Sequence, residues 1–211
     1  MNKTFLTLCL VIALVTNLQA QQAKRYAVKS GYLKLELNGS AKGTREIWWN
    51  NYGATTRELE KSTTTVKILG MKSTEETHQL TITSGNKFWK VDYVENSGIT
   101  GLLPSNGGKE ITDAMTQKEK EQFVSQFQRD MGGKITGSET LKSYPCDIME
   151  VMGTQSWCYK GIVLKTRGKV MGVEINEIFS EFTPGVSIPK SKFAPPSHIE
   201  YRKIPSSTIY Q

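Results

Sequence analysis

The chain has 211 residues, 22% of them charged, with a formal net charge of +7. Its positive residues are scattered and form no Lys/Arg block with interleaved aromatics. That excludes a sequence-encoded nucleic-acid site and leaves only a weak, unspecific attraction to an anionic membrane surface.

The first segment sets the expected compartment. Lys3 is followed by an apolar run over residues 5–15, then Thr16-Asn17-Leu18-Gln19-Ala20 and the polar Gln21-Gln22-Ala23-Lys24. A charged start, a short apolar stretch and a small residue before a polar boundary read as a secretory signal, residues 1–20, cleaved after Ala20. The run is shorter than the ~20 residues a membrane-spanning helix needs, and no later stretch is apolar enough. Cys9 lies inside the run and not at its end, so it leaves with the signal and the mature chain is not lipidated. The expected location is periplasmic. The remaining ~190 residues suit one domain with a sizeable core.

From Tyr32 onward the chain alternates as strands do. Leu33, Leu35 and Leu37 share one face and Lys34 and Glu36 the other, before a turn at Asn38-Gly39-Ser40. Strands are predicted over 44–52, 63–68, 79–83 and 87–94, separated by Asn- and Gly-bearing turns. This is the pattern of a meandering antiparallel sheet. Residues 97–109, rich in Gly, Ser, Asn and Pro, read as loop.

One helix is predicted, over 117–131. Thr116-Gln117-Lys118-Glu119 has capping-box spacing, Phe123, Val124, Phe127 and Met131 recur at helical spacing, and Gly132-Gly133 ends the run. Its apolar stripe is expected to pack on the sheet, either as ordinary core packing or as a lid over a cavity. Strands resume over 146–152 and 157–166, with a turn at Arg167-Gly168-Lys169 leading into a long strand over 170–182 that bends or bulges near Asn176. The domain is expected over 21–182. Residues 183–211, with Pro184, Pro189, Pro195, Pro196 and Pro205, form an extended segment that completes its edge.

Little in this pattern points to catalysis. His78 alternates with Leu80 and Ile82 as a packed strand residue does, and His198 lies in the proline-rich tail. There is no Gly-x-Ser-x-Gly elbow and no phosphate-binding loop. Glu75 and Glu76 are adjacent on a strand and point to opposite faces, which is wrong for shared acid–base work. The expectation is a non-enzymatic protein with no cofactor and no metal. Cys146 and Cys158, an even pair flanking a predicted hairpin in an exported chain, are expected to form a disulfide; two buried thiols are the alternative. The aromatics are the more informative set. Adjacent Trp48 and Trp49 must face opposite sides of their strand, and with Trp89, Phe123 and Phe127 they form the candidate ligand-binding set.

An ordered set of motifs runs through the mature chain: Lys29-Ser30-Gly31-Tyr32, then Gly43-Thr44-Arg45-Glu46-Ile47-Trp48-Trp49-Asn50-Asn51-Tyr52-Gly53, Gly137-Ser138-Glu139-Thr140-Leu141, Tyr144-Pro145-Cys146, Trp157-Cys158-Tyr159-Lys160-Gly161, and Ile188-Pro189-Lys190-Ser191-Lys192-Phe193. It resembles a group of largely uncharacterised periplasmic proteins of Gram-negative bacteria, similar in outline to the lipoprotein-localisation carriers of the LolA/LolB type. The resemblance implies a mainly β (α+β) fold: a curved, open antiparallel sheet or half-barrel with one helix packed on its concave face. In those carriers the concavity holds acyl chains. The chain departs from them in lacking a leading amphipathic helix and a mature N-terminal cysteine. Two functions remain: a binding protein for a lipid or lipoprotein acyl chain, with the outer-membrane surface as a partner, or an envelope interaction protein whose core is filled by its own side chains.

Overall fold

The computed structural model describes residues 24–68, 71–102, 134–151, 153–170 and 172–204. The signal segment and the helix predicted over 117–131, with Phe123 and Phe127, lie outside them. Twelve strands form one open sheet: β1 (Gly31–Asn38), β2 (Ala41–Asn50), β3 (Thr55–Ile68), β4 (Met71–Ser84), β5 (Lys87–Asp92), β6 (Ser97–Leu102), β7 (Lys134–Leu141), β8 (Tyr144–Val151), β9 (Thr154–Tyr159), β10 (Ile162–Val170), β11 (Val173–Pro184) and β12 (Tyr201–Lys203). Their order is β12-β6-β5-β4-β3-β2-β1-β11-β10-β9-β8-β7. Every pairing is antiparallel except that of β12 with β6, which is parallel.

The two-residue period of the side chains sorts them between two faces. Leu33, Leu35 and Leu37 are buried on one, and the register carries that face to Ile47 and Arg45 of β2, Glu58 and Glu60 of β3, and Phe182 and Phe179 of β11. The main core lies here: Leu33, Leu35, Trp49, Ile162, Leu164, Phe179 and Phe182, with Tyr26 from the segment before β1. Glu58 of β3 and Ser156 of β9 line one cavity on this side. In a flat sheet those strands, five places apart, would be about 24 Å apart. The sheet is therefore curled, and this face is its inner one. A bulge where Phe179 and Glu181 meet Leu35 and Lys34 adds to the bend.

The outer face of β3–β5 carries a second, smaller core of Leu80, Ile82 and Val91 with Leu59, Trp89 and Tyr93 packed against it. Its cover is the chain's own C-terminal segment. Phe193, in a 3₁₀ turn over Lys190–Phe193, and Ile199 are buried, and β12 then pairs with β6.

Three local expectations need correction. Residues 97–102 are not loop but strand β6. Their glycines suit close packing: a Cβ at Gly98 would meet the side chains of Ile199 and Tyr201, so the residue that reads as a turn signal admits the tail. Arg167-Gly168-Lys169 is not a turn; it lies within β10, and the chain turns between Val170 and Val173. The bend expected near Asn176 is the bulge at Phe179–Glu181. Strand β7 has no counterpart in the hydrophobic pattern, because almost all its residues are exposed at the sheet's edge.

A cavity on the inner face of the sheet

The inner face encloses a cavity of about 290 Å³. One wall is apolar: Leu33 and Leu35 from β1, Ile47 and Trp49 from β2, Ile162 and Val163 from β10. One end is closed by the segment before β1. The Tyr26 amide donates to the Tyr52 carbonyl (3.0 Å) and the Ala27 amide to the Lys160 carbonyl (3.0 Å), so this segment ties the β2–β3 turn to the β9–β10 turn. Between these anchors Tyr26 packs edge-on against Trp49, ring centroids 5.3 Å apart.

Trp49 is fully buried, and its indole N–H donates to the Val28 carbonyl at 3.1 Å. Its cross-strand partner is Gly31, where a Cβ would overlap the indole ring. The glycine is therefore required by the tryptophan. Phe182 stacks beside the indole at 6.3 Å, and Tyr144 and Tyr159 extend the aromatic layer beyond it.

The other side of the cavity is ionic. Arg45 meets Glu58 (3.3 Å), Glu60 (3.0 Å) and Glu177 (3.2 Å). Strand register explains the cluster: Glu60 is the direct partner of Arg45 on β3, Glu58 shares its face two residues on, and Glu177 stands two strands away on β11. Ser62 donates to the second oxygen of Glu60 (2.7 Å). One guanidinium serves three carboxylates. Burial weakens the Arg45 charge, but the surrounding carboxylates outweigh it and raise its pKa. For Glu177 burial prevails over the attraction of Arg45, with the like charges of Glu60 and Glu58 adding to it, and its carboxyl is raised above the ordinary range. The same contact thus favours the charge on arginine yet fails to hold it fully on Glu177, because the cation is shared. No group of His, Cys, Asp or Glu among the described residues is arranged to hold a metal ion.

The described members of the predicted ligand set, Trp48, Trp49 and Trp89, are not brought together. Trp49 lines the cavity, whereas Trp48 and Trp89 lie on the outer face, in one row through Arg57 and Ile82. Trp48 is half-buried, with three groups set against its ring. Tyr32 packs beside it at 5.2 Å, Arg57 lies over it at 5.5 Å, and Lys192 of the C-terminal segment sits 4.0 Å above its ring. Trp89 packs against the outer core. His78 stacks on Tyr93 at 4.6 Å.

The disulfide expected between Cys146 and Cys158 is not formed; both are free thiols, Cys146 buried and Cys158 half-buried. Cys158 pairs across the hairpin with Asp147, one residue past Cys146. Neighbours along a strand point to opposite faces, so the sulfurs diverge. Burial raises the pKa of both thiols. Sequence reasoning missed Arg45, Glu58, Glu60 and Glu177. A signal was present in the adjacent Glu58-Leu59-Glu60, whose carboxylates share a strand face, but their common partner is fixed only by register.

No protein-family model matches the chain, and no curated protein matches it in sequence. Among solved structures it is similar to an uncharacterised conserved protein from Thermus thermophilus, with a TM-score of 0.51 and 7% identity over 90% of this chain and 99% of that one. At that identity the likeness is one of fold alone. No helix among the described residues is long and apolar enough to cross a membrane.

Proposed function

We propose that the chain is an exported, non-enzymatic carrier that holds an apolar chain, from a lipid or a lipoprotein, on the inner face of its half-barrel. The observation that carries this reading is the cavity of about 290 Å³ with an apolar wall of Leu33, Leu35, Ile47 and Trp49 and a single ionic side at Arg45. Small-molecule sites likewise set an apolar wall against convergent polar groups, here Arg25, Arg45, Glu58, Ser156, Thr166 and Glu177, and the volume is near the lower bound of the ~300–1,000 Å³ they occupy. Export by the signal over residues 1–20 places the carrier in the periplasm.

The second reading, an envelope interaction protein with a self-filled core, draws on the cavity's small size and on Tyr26 already occupying one end of it. A native mass spectrum of protein purified from its own host distinguishes the two. Co-purified lipid, lost on replacing Leu35 or Ile47 with glutamate, is the result expected of the carrier. A ligand-free spectrum, with no uptake of an apolar fluorescent probe by the purified chain, overturns it.

A further inference from the structure

The strands bring one end of every hairpin at the Gly31 end of the sheet to a common rim, and among the described residues the rim's charge is of one sign. It consists of residues 24–30 before β1 and the turns at 51–54, 85–87, 142–143 and 160–161, with residues 185–193 after β11. Every charged residue in these segments is a cation. The segment before β1 supplies Lys24, Arg25 and Lys29, all exposed. The β4–β5, β7–β8 and β9–β10 turns each present one exposed lysine: Lys87, Lys142 and Lys160. The last stretch adds exposed Lys190 and half-buried Lys192, whose ammonium lies over Trp48. The opposite end of the sheet is mixed, with Asp92, Glu95, Glu150 and Glu174 among Lys42 and Lys169.

These cations form no ion pair with another described residue. The ion pairs among the described residues all run to Arg45, inside the cavity. Several rim ammoniums instead rest on aromatic rings: Lys24 over Tyr52 at 4.3 Å, Lys87 over Trp89 at 4.7 Å, Lys142 over Phe179 at 4.5 Å. A ring under a lysine stem holds the ammonium without neutralising it.

From this we infer that the rim is a docking surface for an anionic lipid bilayer. Spacing favours a surface over a discrete anion. Successive turns along this rim are two strands apart, about 10 Å along the sheet, and each but the uncharged turn at 51–54 carries a cation. A phosphate that met one ammonium would leave the others unanswered, whereas headgroups free to move laterally can meet all of them. Val186, 36% exposed in the same rim, and the Tyr52 ring supply the apolar and aromatic contacts that suit a headgroup layer. Gly161 and Arg25, which line the cavity, belong to this rim, so docking would turn that end of the cavity toward the bilayer. The inference does not depend on the cavity holding a ligand.

The test is co-sedimentation of the purified chain with phosphatidylcholine vesicles, with and without phosphatidylglycerol. The parent should bind only the anionic vesicles and be released by salt, since exposed charges are screened within about 10 Å at 0.1 M. A rim variant, K29Q/K142Q/K160Q/K190Q, should bind them roughly 100-fold more weakly, from about 1 kcal/mol per surface-proximal lysine with incomplete additivity. A control with the same net charge, K42Q/K61Q/K90Q/K169Q, alters lysines away from the rim and should lose less than about 3-fold. Thermal unfolding checks that both variants fold; if the rim variant does not, the pair K29Q/K190Q replaces it, with a loss of roughly 10-fold. Equal loss in rim and control variants overturns the inference, as does equal binding to neutral vesicles or none to either. Binding of heparin or a single-stranded oligonucleotide as tight as that of the vesicles would overturn it in favour of a soluble polyanion.

Discussion

Replacing Arg45 with methionine removes the one cation that three carboxylates share. Methionine retains most of the apolar stem, so the change is chiefly electrostatic. Removing one partner from a buried ion pair costs about 3–5 kcal/mol, because the remaining charge is left desolvated and unpaired. Here the side chains are partly open to solvent: Glu177 is 18% exposed, Glu60 23% and Glu58 42%. Screening reduces the effect, and about 2–3 kcal/mol is expected at neutral pH. For a chain of this size that lowers the melting temperature by roughly 5–10 °C. The diagnostic is its pH dependence. With Arg45 gone, the carboxylates repel one another and take up protons more readily, so the deficit should shrink as the pH falls from about 7 toward about 4.5. Urea unfolding of parent and Arg45→Met at several pH values measures this. Adding Glu60→Gln and Glu177→Gln to Arg45→Met should recover most of the loss at neutral pH. A deficit below about 0.5 kcal/mol, typical of a neutral surface change, or one unchanged across that range, would refute the coupled cluster.

Glu177→Gln isolates the strained member of the cluster. A carboxyl raised above its unfolded value contributes stability that is present at low pH and lost as the pH rises through the raised value. The variant should therefore gain urea resistance relative to the parent at about pH 7 and show no such gain at about pH 4; the reverse order would contradict the burial assigned to Glu177. Gly31→Ala should destabilise by more than about 2 kcal/mol, since its methyl overlaps the fully buried Trp49 ring, and combining it with Trp49→Phe should cost less than the sum of the two changes. The unfolded, unreduced mature chain, without Cys9, should titrate two thiols, and in the folded chain Cys158 should react before Cys146. A chain with no titratable thiol would show that the sulfurs meet in spite of the register.

The alternation of Leu33, Leu35 and Leu37 determines a strand with one buried face wherever that strand lies, because a two-residue period is a local property of the backbone. The same holds for the Gly- and Asn-bearing turns that divide the chain into a β meander. Adjacent Trp48 and Trp49 are assigned to opposite faces by the sequence alone. Which neighbour each meets is not local: Trp49 enters the inner core because Gly31 stands opposite, and Trp48 is covered because the tail brings Lys192 back over it. Polar β7 leaves no hydrophobic period to read, since an exposed edge strand is held by backbone hydrogen bonds. The ion cluster at Arg45 needs β3, β2, β1 and β11 side by side in one register, and a slip of one residue would point its members apart. The disulfide fails for that reason, Cys158 lying opposite Asp147 and not Cys146. Lys29, Lys87, Lys142, Lys160 and Lys190, far apart in the chain, gather on one rim only because successive hairpins return the chain to the same end of the sheet.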